Sequence, residues 1–148
     1  MNILVRFHRG SGWGGTLVRG WTNSYIGHCD LLFLDNTVLD VRPACGVRRA
    51  RLADVPNEHI VRTVPIQAAE DGMECLSAWI NGPDVLGCKY DFYGAAAAGL
   101  PLLAREHDDN WFCSEACARA LQIAGVLSYR ITPWRQTPHS LYELLPPG

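Results

Sequence analysis

The chain has 148 residues, 48% of them hydrophobic and 19% charged, with a formal net charge of −2 and a pI near 6.2. That is one ordinary globular domain, residues 1–148, large enough for its own core; it excludes a disordered chain and a highly basic nucleic-acid binder. The twelve arginines and single lysine (Lys89) are scattered, and only Arg48, Arg49 and Arg51 cluster, as a solvated strand end would.

The opening Met1–Arg6 is too short for the apolar stretch of a secretory leader and reads as the start of a strand over Ile3–Phe7. The glycine-rich stretch 8–15 lacks the Lys-Ser/Thr ending of a P-loop, so no phosphate role is assigned to it. A short helix is expected over 16–21, then a strand over His28–Leu34. A turn at Asp35-Asn36 returns the chain through a strand over Thr37–Arg42, and two more strands are expected over 47–52 and 59–64. The second half turns helical. Residues 67–81 carry an apolar stripe stopped by Gly82-Pro83, and the apolar run 93–104 is about a dozen residues where a bilayer span needs roughly 20. That run predicts a buried helix or a hydrophobic lid.

From Cys113 onward, small or apolar residues recur at 113, 116, 117, 120, 121 and 124, and Gly125 follows as a helix stop. Residues 129–131 allow a strand, and Thr137-Pro138 reads as the N-cap and first residue of a terminal helix. Strands first and helices second predict an α+β domain, one small antiparallel sheet packed against helices.

Six cysteines without an export signal predict free thiols, five of them serving as small core hydrophobes. The Cys113–Cys117 spacing lacks the second ligand pair of a zinc site, so neither a metal nor a cofactor is expected. Cys113 differs from the others by its place in the first turn of a helix, where unpaired N–H groups and the dipole favour a thiolate. Such a nucleophile needs a base, and His28, which opens the most convincing strand, is the best placed of five histidines. His8, His59, His107 and His139 read as surface or structural.

A third group must orient the base. Asp30 shares the face of His28 by alternation. Asp40 depends on the hairpin: a two-residue turn at Asp35-Asn36 puts it on the opposite face, whereas a three-residue loop or a bulge brings it onto the face of His28.

The segment His28-Cys29-Asp30 through Asp40, then Pro43–Val47, Tyr90-Asp91-Phe92, Trp111-Phe112-Cys113-Ser114-Glu115 and Thr137–Leu141 resemble, in order, the blocks of circularly permuted papain-like amidases, relatives of the NlpC cell-wall peptidases. The resemblance implies a permuted papain-like fold with His before Cys. It also implies a cysteine hydrolase acting on an amide or peptide-like bond, with Cys113 as nucleophile, His28 as base and Asp40 as its orienting group. Tyr90 would be an oxyanion donor and Trp111 a wall of the cleft. The spacing from His28 to Asp40 also matches the two-histidine hairpin of lecithin–retinol acyltransferase-like enzymes, with Asp in place of the second His. That sister group implies an acyl-transfer or lipid-ester alternative, and a non-catalytic binding module is the third. The expected partner is a peptide-like or acyl substrate, with no nucleic acid and no transmembrane segment. The expected location is cytoplasmic, or wherever a route without a signal delivers the protein.

Overall fold

A computed structural model describes residues 2–10, 16, 19–20, 24–98, 100, 102–106 and 109–146. Strands β1 (Asn2–His8), β2 (His28–Leu32), β3 (Thr37–Arg42), β4 (Gly46–Arg51) and β5 (Ile60–Gln67) form one antiparallel sheet in the order β4-β3-β2-β1-β5. Helices α1 (Glu70–Ile80), α2 (Phe92–Ala97), α3 (Cys113–Ile123) and α4 (Pro138–Leu144) follow, and β6 (Lys89–Tyr90) pairs in parallel with β7 (Asn110–Trp111). The domain is therefore α+β, a small antiparallel sheet with helices against it. Among the described residues no helix is long and apolar enough to cross a membrane.

Alternation along β1 sets the two faces. Ile3, Val5 and Phe7 are fully buried in the hydrophobic core, and the pairing Val5↔Leu31 and Phe7↔Cys29 puts Leu31 and Cys29 on the same side. Against this side packs α3, whose Ala116, Cys117, Ala120, Leu121 and Ala124 are all buried. The small residues let its backbone come close to β2 and to α1. A Cβ on Gly72 of α1 would stand 2.5 Å from the carbonyl oxygen of Ala124, so only glycine fits there. β5 is an edge strand, which is where Pro65 can be carried without breaking a ladder hydrogen bond.

The other face of β1 and β2 is polar yet also buried. Arg6 pairs across to Asp30 and His8 to His28, and all four are buried. The segment 52–58 crosses near this face, beginning with a 3₁₀ turn at Leu52–Asp54.

The hairpin joining β2 to β3 decides the candidate site. Its register pairs Leu31 with Leu39 and Leu32 with Val38, and Phe33 N–H donates to the Thr37 carbonyl at 2.9 Å. Three residues, 34–36, therefore form the loop. Asn36 takes the left-handed conformation (φ 57°), and the Asp35 carboxylate accepts from the Thr37 N–H at 3.0 Å. The odd loop sets Asp30 opposite Asp40, with His28 two residues along the same face.

Other expectations move. Gln67 ends β5 instead of starting a helix, and α1 begins at Glu70. Residues 129–131 form a turn, with a 3₁₀ segment at Pro133–Arg135 in place of a strand. The run 93–104 is not a buried helix. It supplies five of the six residues of α2, a helix too short to bury more than one narrow stripe, so Tyr93 is exposed, as are Leu102 and Leu103 beyond it. The helix expected over 16–21 lies largely outside the described residues, as does His107.

Candidate active site

Cys113 is the first residue of α3, after the N-cap Phe112 in extended conformation (φ −114°, ψ 164°) with no side-chain cap. Glu115, at the third helical position, accepts the Phe112 backbone N–H through its carboxylate, as a capping residue does. Ser114 donates its hydroxyl to the Gln136 carbonyl at 2.6 Å, tying this first turn to the start of α4. The Cys113 side chain is thus held at the positive end of an 11-residue helix.

Cys113 is 3% exposed and His28 6%, and the two side chains are in hydrogen-bonding contact. The thiol is driven well below its ordinary acidity range. Donation from the Cys29 thiol contributes most, burial opposes it, and the contact with His28 and its charge add to the fall. Cys29 is the complementary partner. Burial, then its contacts with Cys113 and Cys117, hold its own thiol well above the ordinary range, so it stays protonated and can donate. The His28 imidazole is raised to about 10: burial lowers it, but Asp40 and Cys113 outweigh burial. Together these shifts describe a thiolate–imidazolium pair.

Asp40 lies behind the imidazole. His28 Nε2 stands 3.3 Å from Asp40 Oδ1 but without good hydrogen-bond geometry, a looseness common in unliganded sites. With Nε2 directed at Asp40, Nδ1 is the ring nitrogen left for the thiol. Asp40 is fully buried and accepts from Arg42 Nε at 2.7 Å and from Arg48 at 3.0 and 3.1 Å. Burial raises its pKa, but His28 and the two guanidiniums prevail and hold it below the usual carboxylate range. Arg42 is itself clamped by Glu58 at 2.7 and 3.3 Å.

Asp30, the other candidate to orient His28, is committed elsewhere. It accepts from Arg6 Nε and Nη2 at 2.7 Å each and contacts His8 Nε2 at 3.0 Å. Of the two carboxylates, Asp40 is the one placed on the imidazole. His28, Asp30 and Asp40 do bring ligand-type atoms within 4.8 Å of one another. A metal ion there would compete with Arg6, Arg42 and Arg48, which already neutralise both carboxylates.

In front of Cys113 is a small recess of about 10 Å³ lined by Tyr90, Ala95, Ala98, Phe112, Thr137 and Pro138, together with Ser114, room for about one water. The β6–β7 pairing, Tyr90↔Trp111, carries Tyr90 to its rim. Burial and the neighbouring Cys113 charge raise the Tyr90 hydroxyl well above its ordinary value, so it remains a potential donor. Trp111 does not line the recess. Its ring packs edge-on against Trp79 at 5.5 Å and its indole N–H donates to the Asp84 carbonyl at 3.1 Å, which makes it a core aromatic.

His8 is buried and bound to Asp30, not a surface residue. Only its alternation with Phe7 and Val5 in β1, facing the side of His28, could have flagged it. Cys29 looked like core filler, and its neighbour His28 hid it. Glu115 was legible as the third-position carboxylate of a helix start. Cys45 and Cys75 are exposed, so these two are not core residues, while half-buried Cys88 packs against the core; all six cysteines are unpaired. No protein-family model matches the chain, no curated protein matches it in sequence, and no solved structure matches its fold.

Proposed function

We propose that this protein is a cysteine hydrolase that cleaves an amide or peptide-like bond. The observation that carries the reading is the meeting of Cys113, at a helix start, with His28, whose far nitrogen faces a buried carboxylate 3.3 Å away. A buried thiolate–imidazolium pair backed by an acid is what nucleophilic acyl chemistry requires. The order along the chain, His on a strand and Cys on a later helix, supports a circularly permuted papain-like fold as the finer description of this α+β domain.

In this mechanism the Cys113 sulfur attacks the substrate carbonyl. The developing oxyanion takes up the Cys113 backbone N–H and, on the rim of the recess, the Tyr90 hydroxyl; losing one such donor typically costs about a hundredfold to a thousandfold in rate. The His28 imidazolium gives its proton to the departing amine, leaving a thioester on Cys113. The neutral imidazole then removes a proton from water, which attacks the thioester and releases a carboxylic acid and the thiolate. Asp40 keeps the ring oriented and balances its charge throughout.

A second reading, transfer or hydrolysis of an acyl ester, is favoured by one observation. Phe92, Tyr93, Leu100, Leu102 and Leu103 are exposed, Leu102 at 99%, on the segment that includes the Ala95 and Ala98 walls of the recess. Wild type, Cys113→Ala and His28→Ala are assayed against peptide amides, isopeptides and long-chain acyl esters. Turnover of amides lost in both folded variants supports the hydrolase, turnover of esters alone supports the second reading, and undiminished turnover in Cys113→Ala refutes both.

A further inference from the structure

At the end of the sheet away from Cys113, the β2–β3 hairpin and α1 leave a groove of about 370 Å³ between them, within the range of ligand sites. Phe33, on its sheet side, follows His28 by five residues, about 17 Å of extended chain from the reacting pair. α1 meets α3 at the end of that helix far from Cys113, where Gly72 faces Ala124. The floor is apolar: Phe33, Leu76 and Ile80 belong to the buried core, and Met73 packs against it. Residues 70, 73, 74, 77 and 80 recur by threes and fours, so one face of α1 forms the opposite wall. On that face Glu70 and Glu74 stand one turn apart and exposed, and like charges at this spacing repel. Neither is in an ion pair among the described residues. Across from them Arg49 is already engaged. Its guanidinium donates to Asp35 at 2.8 Å and to the Thr37 hydroxyl at 2.9 Å and lies over the Phe33 ring at 5.2 Å.

We infer that this groove docks a basic segment of a partner protein, an aliphatic residue lying on the floor and a neighbouring lysine or arginine reaching Glu70 and Glu74. Charge complementarity selects this occupant. Asp35 and Arg49 offset each other, so the lining keeps the two glutamates as excess negative charge. An acidic segment meets that excess and is repelled. A wholly apolar one desolvates two carboxylates and gives them no partner. A small cation alone leaves the apolar floor uncovered, and Leu34, 67% exposed at the mouth, widens the apolar surface a chain can cover. Both glutamates face solvent, so an incoming cation reaches them without rearrangement of the fold. The groove is apart from the recess at Cys113, and its occupancy leaves that recess open. The inference therefore stands without the hydrolase reading.

Met1 and Met73 are the only methionines, so ¹³C-labelled methionine methyl groups give the groove its own reporter, assigned by its loss in Met73→Leu. The full chain is titrated with acetyl-Lys-Leu-Lys-Leu-amide, with acetyl-Glu-Leu-Glu-Leu-amide, and with spermidine. The expected result is a saturable shift of the Met73 methyl resonance with the basic peptide only. Its Kd should weaken threefold or more in the double variant Glu70→Gln/Glu74→Gln, the worth of two exposed ion pairs, and should weaken as salt is raised about tenfold. A thermal melt shows that the variant is folded, and the salt series tests the same charges in the unaltered chain. Equal shifts with both peptides, no shift at Met73 up to about 10 mM peptide, or a Kd indifferent to salt overturns the inference. So does a folded double variant that binds within threefold of wild type. The same shift from spermidine at equal concentration assigns the groove to a small cation, and a Met73 shift that follows protein concentration without peptide assigns it to a second copy; either overturns the partner segment. Because the readout is a chemical shift, loss of the hydrolase reading leaves this result standing, and a silent Met73 beside amide turnover removes the docking site alone.

Discussion

Removing His28 should change how Cys113 responds to pH more than how fast it reacts at any one pH. In the intact protein the thiol is held well below its ordinary value of 9.0 and the imidazole is raised to about 10. Between those limits the thiolate–imidazolium pair is fully formed, so the rate of alkylation by iodoacetamide should be flat from pH 6 to 8. His28→Ala removes a cation whose charge lowers this thiol. The remaining donors, the Cys29 thiol and its backbone N–H, still act against burial, but they are neutral and do not replace the charge of the imidazolium. As the thiol rises toward its ordinary range, the thiolate fraction falls and the alkylation rate climbs with pH, by up to about tenfold per pH unit. Over pH 6 to 8 that is severalfold to about a hundredfold in the variant, against less than about twofold in wild type. Lower intrinsic nucleophilicity of the acidic wild-type thiolate compresses the difference in absolute rate, so the slope is the reliable readout. Because Cys45 and Cys75 are exposed, labelling must be resolved by peptide mass spectrometry. A wild-type Cys113 whose rate climbs about tenfold per pH unit across this range would refute the ion pair and, with it, the nucleophile.

Three further outcomes follow from the same contacts. Asp40→Asn removes the charge that His28, Arg42 and Arg48 share; kcat should fall by about a hundredfold or more, and denaturant unfolding should show a loss of about 1–3 kcal/mol, since buried His28 loses its carboxylate while Arg42 keeps Glu58 and Arg48 is partly solvated. Glu115, raised from 4.5 to about 8 by burial and then by Asp91, binds a proton in the folded state that the unfolded chain has released. Its contribution to stability is therefore present below pH 4.5 and lost as pH rises through 8, and Glu115→Gln should flatten that part of the curve and be the more stable protein at pH 8.5. Gly72→Ala should destabilise: helix propensity favours alanine by about 1 kcal/mol, but a Cβ 2.5 Å from the Ala124 oxygen forces α1 and α3 apart at about 1–3 kcal/mol, read as a lower midpoint in thermal melts.

Much of this was legible locally. The stripe from Cys113 to Ala124 specified a helix because spacing by three and four is a property of the helix itself, and Gly125 ended it in the left-handed conformation (φ 74°). Thr137-Pro138 specified the last helix for the same kind of reason, with a capping box closed by Ser140. The hairpin was legible only as a choice. Residues 35 and 36 pointed to a turn, but whether two or three residues formed it depended on how Phe33 and Thr37 met, and the face of Asp40 hung on that. The segment 93–104 read as a buried helix or a lid, and only Gly94, Ala97 and Ala98 are buried among its described residues, because apolar composition alone does not say what will cover it.

What the amino-acid order determined by itself is the main strands, the helix from Cys113 and the last helix, and the singling out of Cys113 and His28, since periodicity, caps and a helix-start cysteine are written in neighbours. The tertiary structure alone decided which charges share a buried space. Two aspartates on adjacent strands, with Arg6 and His8 taking one and His28, Arg42 and Arg48 taking the other, are a matter of register and of what else is desolvated nearby. Electrostatic energy depends on distance through the folded medium, and distance through the fold is what a one-dimensional chain does not carry.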